Sequence, residues 1–200
     1  MGNFYREGGR YSTGATEVND HDFNTFADGQ IVPHGIYDVA QNRGYLTLGS
    51  NRDTSEFVCD NMEYFWQQDF QWKYAEAPVM LLLCDGGGSN NSRHYIVKQD
   101  LVRLANTLKI KILVTHYPPY CSKWNPIEHR LFCHISQAWQ GVVFKNIQIV
   151  KELAEKTSTK TGLEVKVWLN KKKYSIARLV EPDFKANMTD FISFDDKLPQ

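Results

Sequence analysis

The sequence of 200 residues lacks the features that mark membrane, secreted and zinc-binding proteins. It contains no run of roughly 18 apolar residues, which a membrane-spanning helix needs. Its first residues do not have the pattern of a signal peptide. No Cys-x-x-Cys pair occurs among its four cysteines, so we expect reduced thiols in a cytoplasmic protein rather than disulfides or zinc ligands. These cysteines are Cys59, Cys84, Cys121 and Cys133.

The glycine-rich stretch Gly86-Gly87-Gly88 lacks the spacing of a nucleotide-binding loop. A P-loop has a spaced glycine followed by Lys and Ser or Thr, and these are absent. A dinucleotide-binding loop has spaced glycines and, further along the chain, an acid that binds the ribose, and this pattern is absent too. A nucleotide site is therefore disfavoured. We expect these glycines to let backbone or substrate come close to Asp85.

The formal net charge of zero hides an asymmetry between the two parts of the chain. Residues 1–76 carry 5 Lys and Arg against 12 Asp and Glu, whereas residues 77–200 carry 18 against 11. Five basic residues and no acidic one lie between Lys166 and Arg178. Such a cluster either contacts phosphates or forms an ordinary solvated face.

An apolar run ends at a single carboxylate in the middle of the sequence. Val79–Cys84 is short and lies between Pro78 and the glycines, which predicts a strand buried on both faces. Asp85 then stands at the carboxyl end of this strand, where open α/β sheets place their ligand sites. The alternative is that Asp85 simply opens a tight turn.

The remaining periodicity predicts an alternation of strands and helices. Asn42 and Gly44 suit the loop of a β-hairpin, and Asp38 in its first strand is either catalytic or an exposed surface carboxylate. Asp53, with Glu56 three residues later, predicts a helix with an Asp N-cap and a capping box. The predicted strands are 31–40, 45–49, 110–114 and 165–169, and the predicted helices follow Asp53 and occupy 92–109, 126–139 and 146–160.

A second carboxylate lies at the start of a predicted helix. Asn125 suits the N-cap position, Pro126 the first helical position and Glu128 the third. Glu128 is therefore either a capping-box acid or a functional carboxylate.

The order of elements matches a ribonuclease-H-like α/β fold, a mixed sheet flanked by helices. Several stretches, in order between about residues 2 and 174, resemble the catalytic domain of bacterial insertion-sequence DDE transposases, in particular the Rhodopirellula-type DDE transposase domain. They include Gly35-Ile36-Tyr37-Asp38-Val39-Ala40-Gln41-Asn42-Arg43-Gly44, Asp85-Gly86-Gly87-Gly88-Ser89-Asn90, Ser122-Lys123-Trp124-Asn125 and Ile127-Glu128-His129-Arg130-Leu131-Phe132.

The resemblance implies that Asp85 and Glu128 are the second and third carboxylates of a DDE triad. In that chemistry the carboxylates hold two Mg²⁺ (or Mn²⁺) ions for DNA cleavage and strand transfer. The implied partner is DNA, as transposon ends and target, in the bacterial cytoplasm and nucleoid.

Four residues near Glu128 are candidate DNA contacts. Lys123 is a candidate phosphate contact. Trp124 either stacks on a base or packs against its own loop, and we expect the packing. His129 and Arg130 contact phosphates or form a solvated helical turn.

The chain departs from the family pattern at its start. The first carboxylate of the family precedes the Gly2-Asn3-Phe4 stretch, so we expect a truncated opening strand and a domain that is inactive alone. Asp38 and Asp53 each match a different family position, which argues against either as a substitute. The alternative is a non-catalytic DNA-binding or protein-interaction remnant.

An unpaired strand edge also predicts homo-oligomers. We expect a catalytic domain over 1–174 and a C-terminal extension over 175–200.

Overall fold

The computed structural model describes residues 1–21, 24–118 and 120–195. Within them the chain is mixed α/β, as predicted, and it divides into two compact units, Met1–Arg52 with Tyr120–Lys173 and Asp53–Pro119 with Tyr174–Gln200. The strands are β1 (Val32–Asp38), β2 (Arg43–Gly49), β3 (Val79–Cys84), β4 (Lys111–His116) and β5 (Glu164–Asn170). The helices are α1 (Ser55–Phe65), α2 (Gln71–Lys73), α3 (Tyr95–Leu108), α4 (Cys133–Trp139), α5 (Ile147–Glu155), α6 (Pro182–Ala186) and α7 (Met188–Phe191).

The predicted hairpin is confirmed in the first unit. β1 and β2 are antiparallel, with Asp38 opposite Arg43 at the turn. The Oδ1 atom of Asp38 accepts hydrogen bonds from the N–H groups of Ala40 and Gln41 at 3.0 and 3.1 Å. Asp38 thus stabilises the reversal of the chain, as Asp side chains do in turns.

The strand β2 is the centre of a three-stranded sheet in which β5 is its parallel neighbour. Leu46 and Leu48 on β2 are fully buried in the core of this unit, together with Val150 of α5. The Asn146 side chain accepts a hydrogen bond from the Ile149 N–H and so caps α5. The helix ends at Glu155, short of the predicted residue 160.

The second unit begins with α1, whose cap differs from the prediction. Thr54, not Asp53, is the N-cap, because its extended backbone lets Oγ1 accept the Phe57 N–H at 3.2 Å. Glu56 pairs with Arg178 at 3.3 Å. The carboxylate of Asp53 is therefore not used by the helix.

The strands β3 and β4 form a parallel two-stranded sheet. The bounds of β3 are those predicted, but the expected burial of both faces is wrong. Val79, Leu81 and Leu83 are 41%, 54% and 42% exposed, while the alternate side chains are partly buried. An apolar run indicates a strand but does not show whether both of its faces are covered.

The segment after residue 174 packs against the helices of the second unit. Arg178 binds the carboxylate of Asp100, which is 3% exposed on α3 and also accepts the Ser55 hydroxyl at 2.6 Å. The predicted division at residue 174 stays a prediction. No helix among the described residues is long and apolar enough to span a membrane.

Candidate active site

Asp85 directly follows β3, as the sequence predicted, and its side chain is exposed. The end of this parallel pair is closed by a hydrogen bond from the Tyr117 N–H to the Cys84 carbonyl at 2.8 Å. One carboxylate oxygen of Asp85, Oδ1, accepts the Gly87 N–H at 3.0 Å. Asp85 therefore does open a tight turn, and the same turn holds its carboxylate at the edge of the sheet.

The turn after Asp85 has a backbone that requires glycine. Gly86 and Gly88 have φ angles of +76° and +37°, which side chains with a Cβ rarely adopt. The ring Nε2–H of His116, at the end of β4, donates to the Asn90 carbonyl at 2.9 Å. This contact joins the glycine turn to the neighbouring strand, so the turn that positions Asp85 has support from both strands.

Asp53 lies near Asp85 within the same unit. Desolvation raises the pKa of Asp53, the hydrogen bond from Ser89 opposes the rise, and the negative charge of Asp85 adds to it. The Ser89 hydroxyl donates to Asp53 Oδ2 at 3.1 Å. The sequence analysis argued against Asp53 as a substitute acid, because it matches a different family position, and assigned it to the cap of α1.

Cys84 is the last residue of β3, and its thiol is partly buried. Burial raises the pKa of its thiol to about 11, and the charge of Asp85 adds to the effect. Thiolates, not thiols, bind metals and attack electrophiles. The carboxylate oxygens of Asp85 therefore suit a divalent ion such as Mg²⁺ better than the protonated Cys84 thiol does.

Glu128 lies in the first unit, at the start of a π-helical turn over Glu128–Phe132 that continues into α4. The Asn125 side chain accepts the Ile127 N–H at 3.4 Å, so Asn125 acts at the helix start as predicted. The Glu128 carboxylate is exposed and has no hydrogen bond within the described part of the chain. A capping box with Asn125 is thus not formed, and both Glu128 oxygens are available to a ligand.

Two glycines of the hairpin let the Glu128 helix pack closely on β1 and β2. A Cβ at Gly35 would lie 2.5 Å from Phe132 Cζ, and one at Gly44 would lie 2.3 Å from Leu131 Cδ1. Leu131 is fully buried in this contact. The helical turn that begins with Glu128 is therefore fixed by packing against the sheet of its own unit.

The candidate DNA contacts all lie in the first unit, close to Glu128 in sequence. Trp124 is 68% exposed, so the expectation that it packs its loop is wrong. Lys123 Nζ lies 5.1 Å from the centroid of the Trp124 ring. The His129 Nε2–H donates to the Lys123 carbonyl at 2.7 Å, and the Arg130 side chain is exposed.

The comparisons with known proteins identify the family. The sequence model described as the Rhodopirellula transposase DDE domain matches residues 1–200. The chain belongs to this transposase DDE-domain family. No curated protein and no solved structure matches the chain.

In a DDE domain the acidic side chains are the expected metal ligands, and the residues present suit that role chemically. Asp85 keeps Oδ2 available and Glu128 both oxygens, and carboxylate oxygens are the ligands that Mg²⁺ and Mn²⁺ prefer. Asp85 and Glu128 belong to different units, and each is described within its own. No group of three His, Cys, Asp or Glu side chains that could hold a metal occurs among residues 1–21, 24–118 and 120–195.

Proposed function

We propose that this chain is the catalytic domain of a DDE transposase that cleaves DNA phosphodiester bonds and transfers the strands with Mg²⁺ or Mn²⁺. The observation that carries the proposal is the exposed Asp85 carboxylate at the carboxyl end of β3, in a chain that the family matches over its whole length. Open α/β sheets bind their ligands at this edge.

The proposed role of Asp85 and Glu128 is to hold the catalytic metal. Asp85 is restrained by the Gly87 N–H and presents its other oxygen to solvent. Glu128 is restrained by the packing of its helical turn and presents its whole carboxylate. When bound, two divalent ions supply an activated water or 3′-hydroxyl and stabilise charge on the leaving oxygen.

We also propose the ribonuclease-H-like arrangement for this chain. Its support is the order of elements: an antiparallel hairpin, α1, the parallel pair β3 and β4 with α3 between them, and the helical turn that carries Glu128. Parallel strands joined by a helix form the expected scaffold for carboxylates at strand ends.

The proposed partner is DNA, both as transposon ends and as target. Lys123 and Arg130 are exposed cations beside Glu128 in the sequence, which suits contacts with phosphates. His129 has its Nε2 engaged by the Lys123 carbonyl, so a phosphate contact by His129 requires Nδ1.

The prediction that the chain is inactive alone stays a prediction. The alternative function is a non-catalytic DNA-binding or protein-interaction remnant. The exposed Lys123 and Trp124 favour the DNA-binding form of this alternative, since cations bind phosphates and aromatic rings stack on bases without any metal. Asp85→Asn separates the two functions, because it removes metal-dependent nicking but leaves the DNA affinity of a remnant unchanged.

The experiment that tests the site is calorimetric titration of Mn²⁺ into the chain and its variants. We expect saturable binding by the unmodified protein and loss of at least about tenfold in affinity for Asp85→Asn and for Glu128→Gln. Asp190→Asn and Glu17→Gln, which change exposed acids, are the matched controls. Unchanged binding in either active-site variant contradicts the assignment of that residue.

A nicking assay on supercoiled DNA with Mn²⁺ follows for any protein that binds the metal. Nicking that Asp85→Asn abolishes supports an active transposase domain and overturns the prediction of inactivity. Metal binding without nicking supports the prediction that the chain is inactive alone.

Homo-oligomer formation also remains a proposal. In the described residues β3 pairs with β4 alone, and its exposed face carries Val79, Leu81 and Leu83 without any charge. An unpaired strand edge is a template for pairing with another copy, and charged side chains are one of the features that oppose such pairing. We expect light scattering to give a mass above that of the monomer, and Leu81→Lys to lower it. A monomer at every concentration contradicts the proposal.

A further inference from the structure

Two aromatic side chains project into solvent from one short segment of the first unit. Tyr120 is fully exposed, and Trp124, four residues later, is 68% exposed. Large aromatic rings usually lie in cores or interfaces, because their burial is strongly favourable. A pair of exposed rings within five residues makes this segment a candidate binding surface.

The backbone holds both rings in this exposed position. Tyr120 has a φ of +63°, the left-handed region, which is a genuine outlier for a bulky residue. Trp124 ends a 3₁₀ turn over Ser122–Trp124, in which its N–H donates to the Cys121 carbonyl at 2.9 Å. Asn125 directly after it is buried. The segment is thus anchored behind Trp124 while its rings stay outside.

A positive charge lies beside one of these rings, and a second follows along the chain. Lys123 Nζ lies 5.1 Å from the Trp124 ring centroid, a cation–π distance, and Arg130, six residues after Trp124, is exposed. The acid in this segment is Glu128. A ligand with flat aromatic faces and negative charge suits exposed aromatic rings next to cations. Nucleic acid has both, in its bases and its phosphates.

We infer that Tyr120 and Trp124 form a stacking platform for an unpaired DNA base, with Lys123 and Arg130 on the adjoining phosphates. Bases inside a duplex have both faces covered by their neighbours, so an exposed ring can stack only on a base that is unpaired or displaced. The inference rests on the proposed function and narrows its substrate to DNA with single-stranded or distorted bases beside the cleavage site.

The test is fluorescence anisotropy with a fluorescein-labelled oligothymidylate and a labelled blunt duplex of equal length, at one salt concentration. We expect the unmodified chain to bind the single strand more tightly than the duplex. Tyr120→Ala and Trp124→Ala each weaken single-strand binding by at least about fivefold and leave duplex binding unchanged. Trp124→Phe, which keeps an aromatic face, retains most of the affinity.

Matched controls come from exposed aromatics elsewhere in the chain. Tyr11 is as exposed as Tyr120, and Trp72 is 77% exposed. Tyr11→Ala and Trp72→Ala are expected to bind both DNAs as the unmodified chain does. All of these positions are on the surface, so the variants fold, and thermal melting by circular dichroism checks this.

Each outcome separates this inference from the proposed function. Equal affinity for the two DNAs, unaffected by Trp124→Ala, overturns the stacking platform alone and leaves the metal-binding role of Asp85 standing. Failure to bind either DNA overturns both the platform and the proposed DNA partner. A change in self-association by Trp124→Ala with no change in DNA affinity assigns the rings to a protein interface and also overturns the platform.

Discussion

The Ser89 hydroxyl donates a hydrogen bond to Asp53 Oδ2 at 3.1 Å. This contact joins the glycine turn after β3 to the residue before the N-cap of α1, although the two residues are 36 positions apart. It keeps the Asp53 carboxylate near Asp85, where each negative charge acts on the other. Asp53 is thus a second acid near the proposed metal ligand Asp85, and it does not cap a helix.

The first prediction concerns the charge of Asp53. Asp53→Asn is expected to lower the affinity for Mn²⁺ by roughly three- to tenfold, because a full charge near an exposed ion contributes about 1 kcal/mol. Calorimetric titration measures it. Ser89→Ala is the matched control, since it removes the hydrogen bond and keeps the charge. Equal loss in both variants would show that the position of the carboxylate, not its charge, matters.

Local patterns in the sequence predicted the elements that local rules determine. The hairpin at Asn42 and the bounds of β3 follow from turn chemistry and an apolar run. The cap of α1 was assigned one residue too early, because Asp53 and Thr54 are both good caps and only the backbone conformation of Thr54 decides between them.

Features that depend on contacts between residues far apart in the sequence could not be predicted from local patterns. The exposure of Leu81 depends on which elements cover β3, and the exposure of Trp124 depends on how its loop leaves the core. The pairing of Arg178 with Asp100 joins residues 78 positions apart. No periodicity or motif indicates such contacts, so Arg178 was counted only as part of a basic cluster.

The second prediction concerns the buried charge of Asp100. Arg178→Met is expected to lower the free energy of unfolding by about 3 kcal/mol, because it leaves a buried carboxylate without its cation. Urea denaturation measures this change. Arg103→Met is the control: Arg103 is 46% exposed and pairs with Asp60 at 3.3 Å, so its loss costs at most about 1 kcal/mol. Equal costs for the two variants would contradict the prediction.

The third prediction is a pH dependence that arises from His34 on β1. Burial lowers the pKa of His34 to about 4 from 6.5, so the folded protein holds this ring neutral. The unfolded chain takes up a proton below about pH 6.5 and the folded chain only near pH 4, so stability falls as the pH drops through this window. From about pH 7 to about pH 5 the loss is roughly 2 kcal/mol.

Urea denaturation at the two pH values checks the His34 prediction. His34→Asn has no titrating ring and is expected to lose about 2 kcal/mol less than the unmodified chain over this range. His94→Gln, at an exposed position, should keep the full dependence. The same pH dependence in His34→Asn as in the unmodified chain would assign the effect to other groups.

The fourth prediction concerns the contact between the hairpin and the Glu128 helix. Gly44→Ala places a Cβ 2.3 Å from Leu131 Cδ1, far inside van der Waals contact, so one of the two must shift. Leu131 is fully buried in the core, so its shift disturbs neighbouring packing. We expect a loss of about 1–3 kcal/mol in the free energy of unfolding, the usual cost of overpacking.

The same contact positions the helical turn that begins with Glu128, so Gly44→Ala tests the site as well as the core. We expect weaker Mn²⁺ binding together with the loss of stability, because Leu131 moves the turn on which Glu128 stands. Gly14→Ala is the control: no atom lies within 4 Å of a Cβ at Gly14. A destabilised Gly44→Ala protein that binds Mn²⁺ normally would show that the position of Glu128 is independent of this packing.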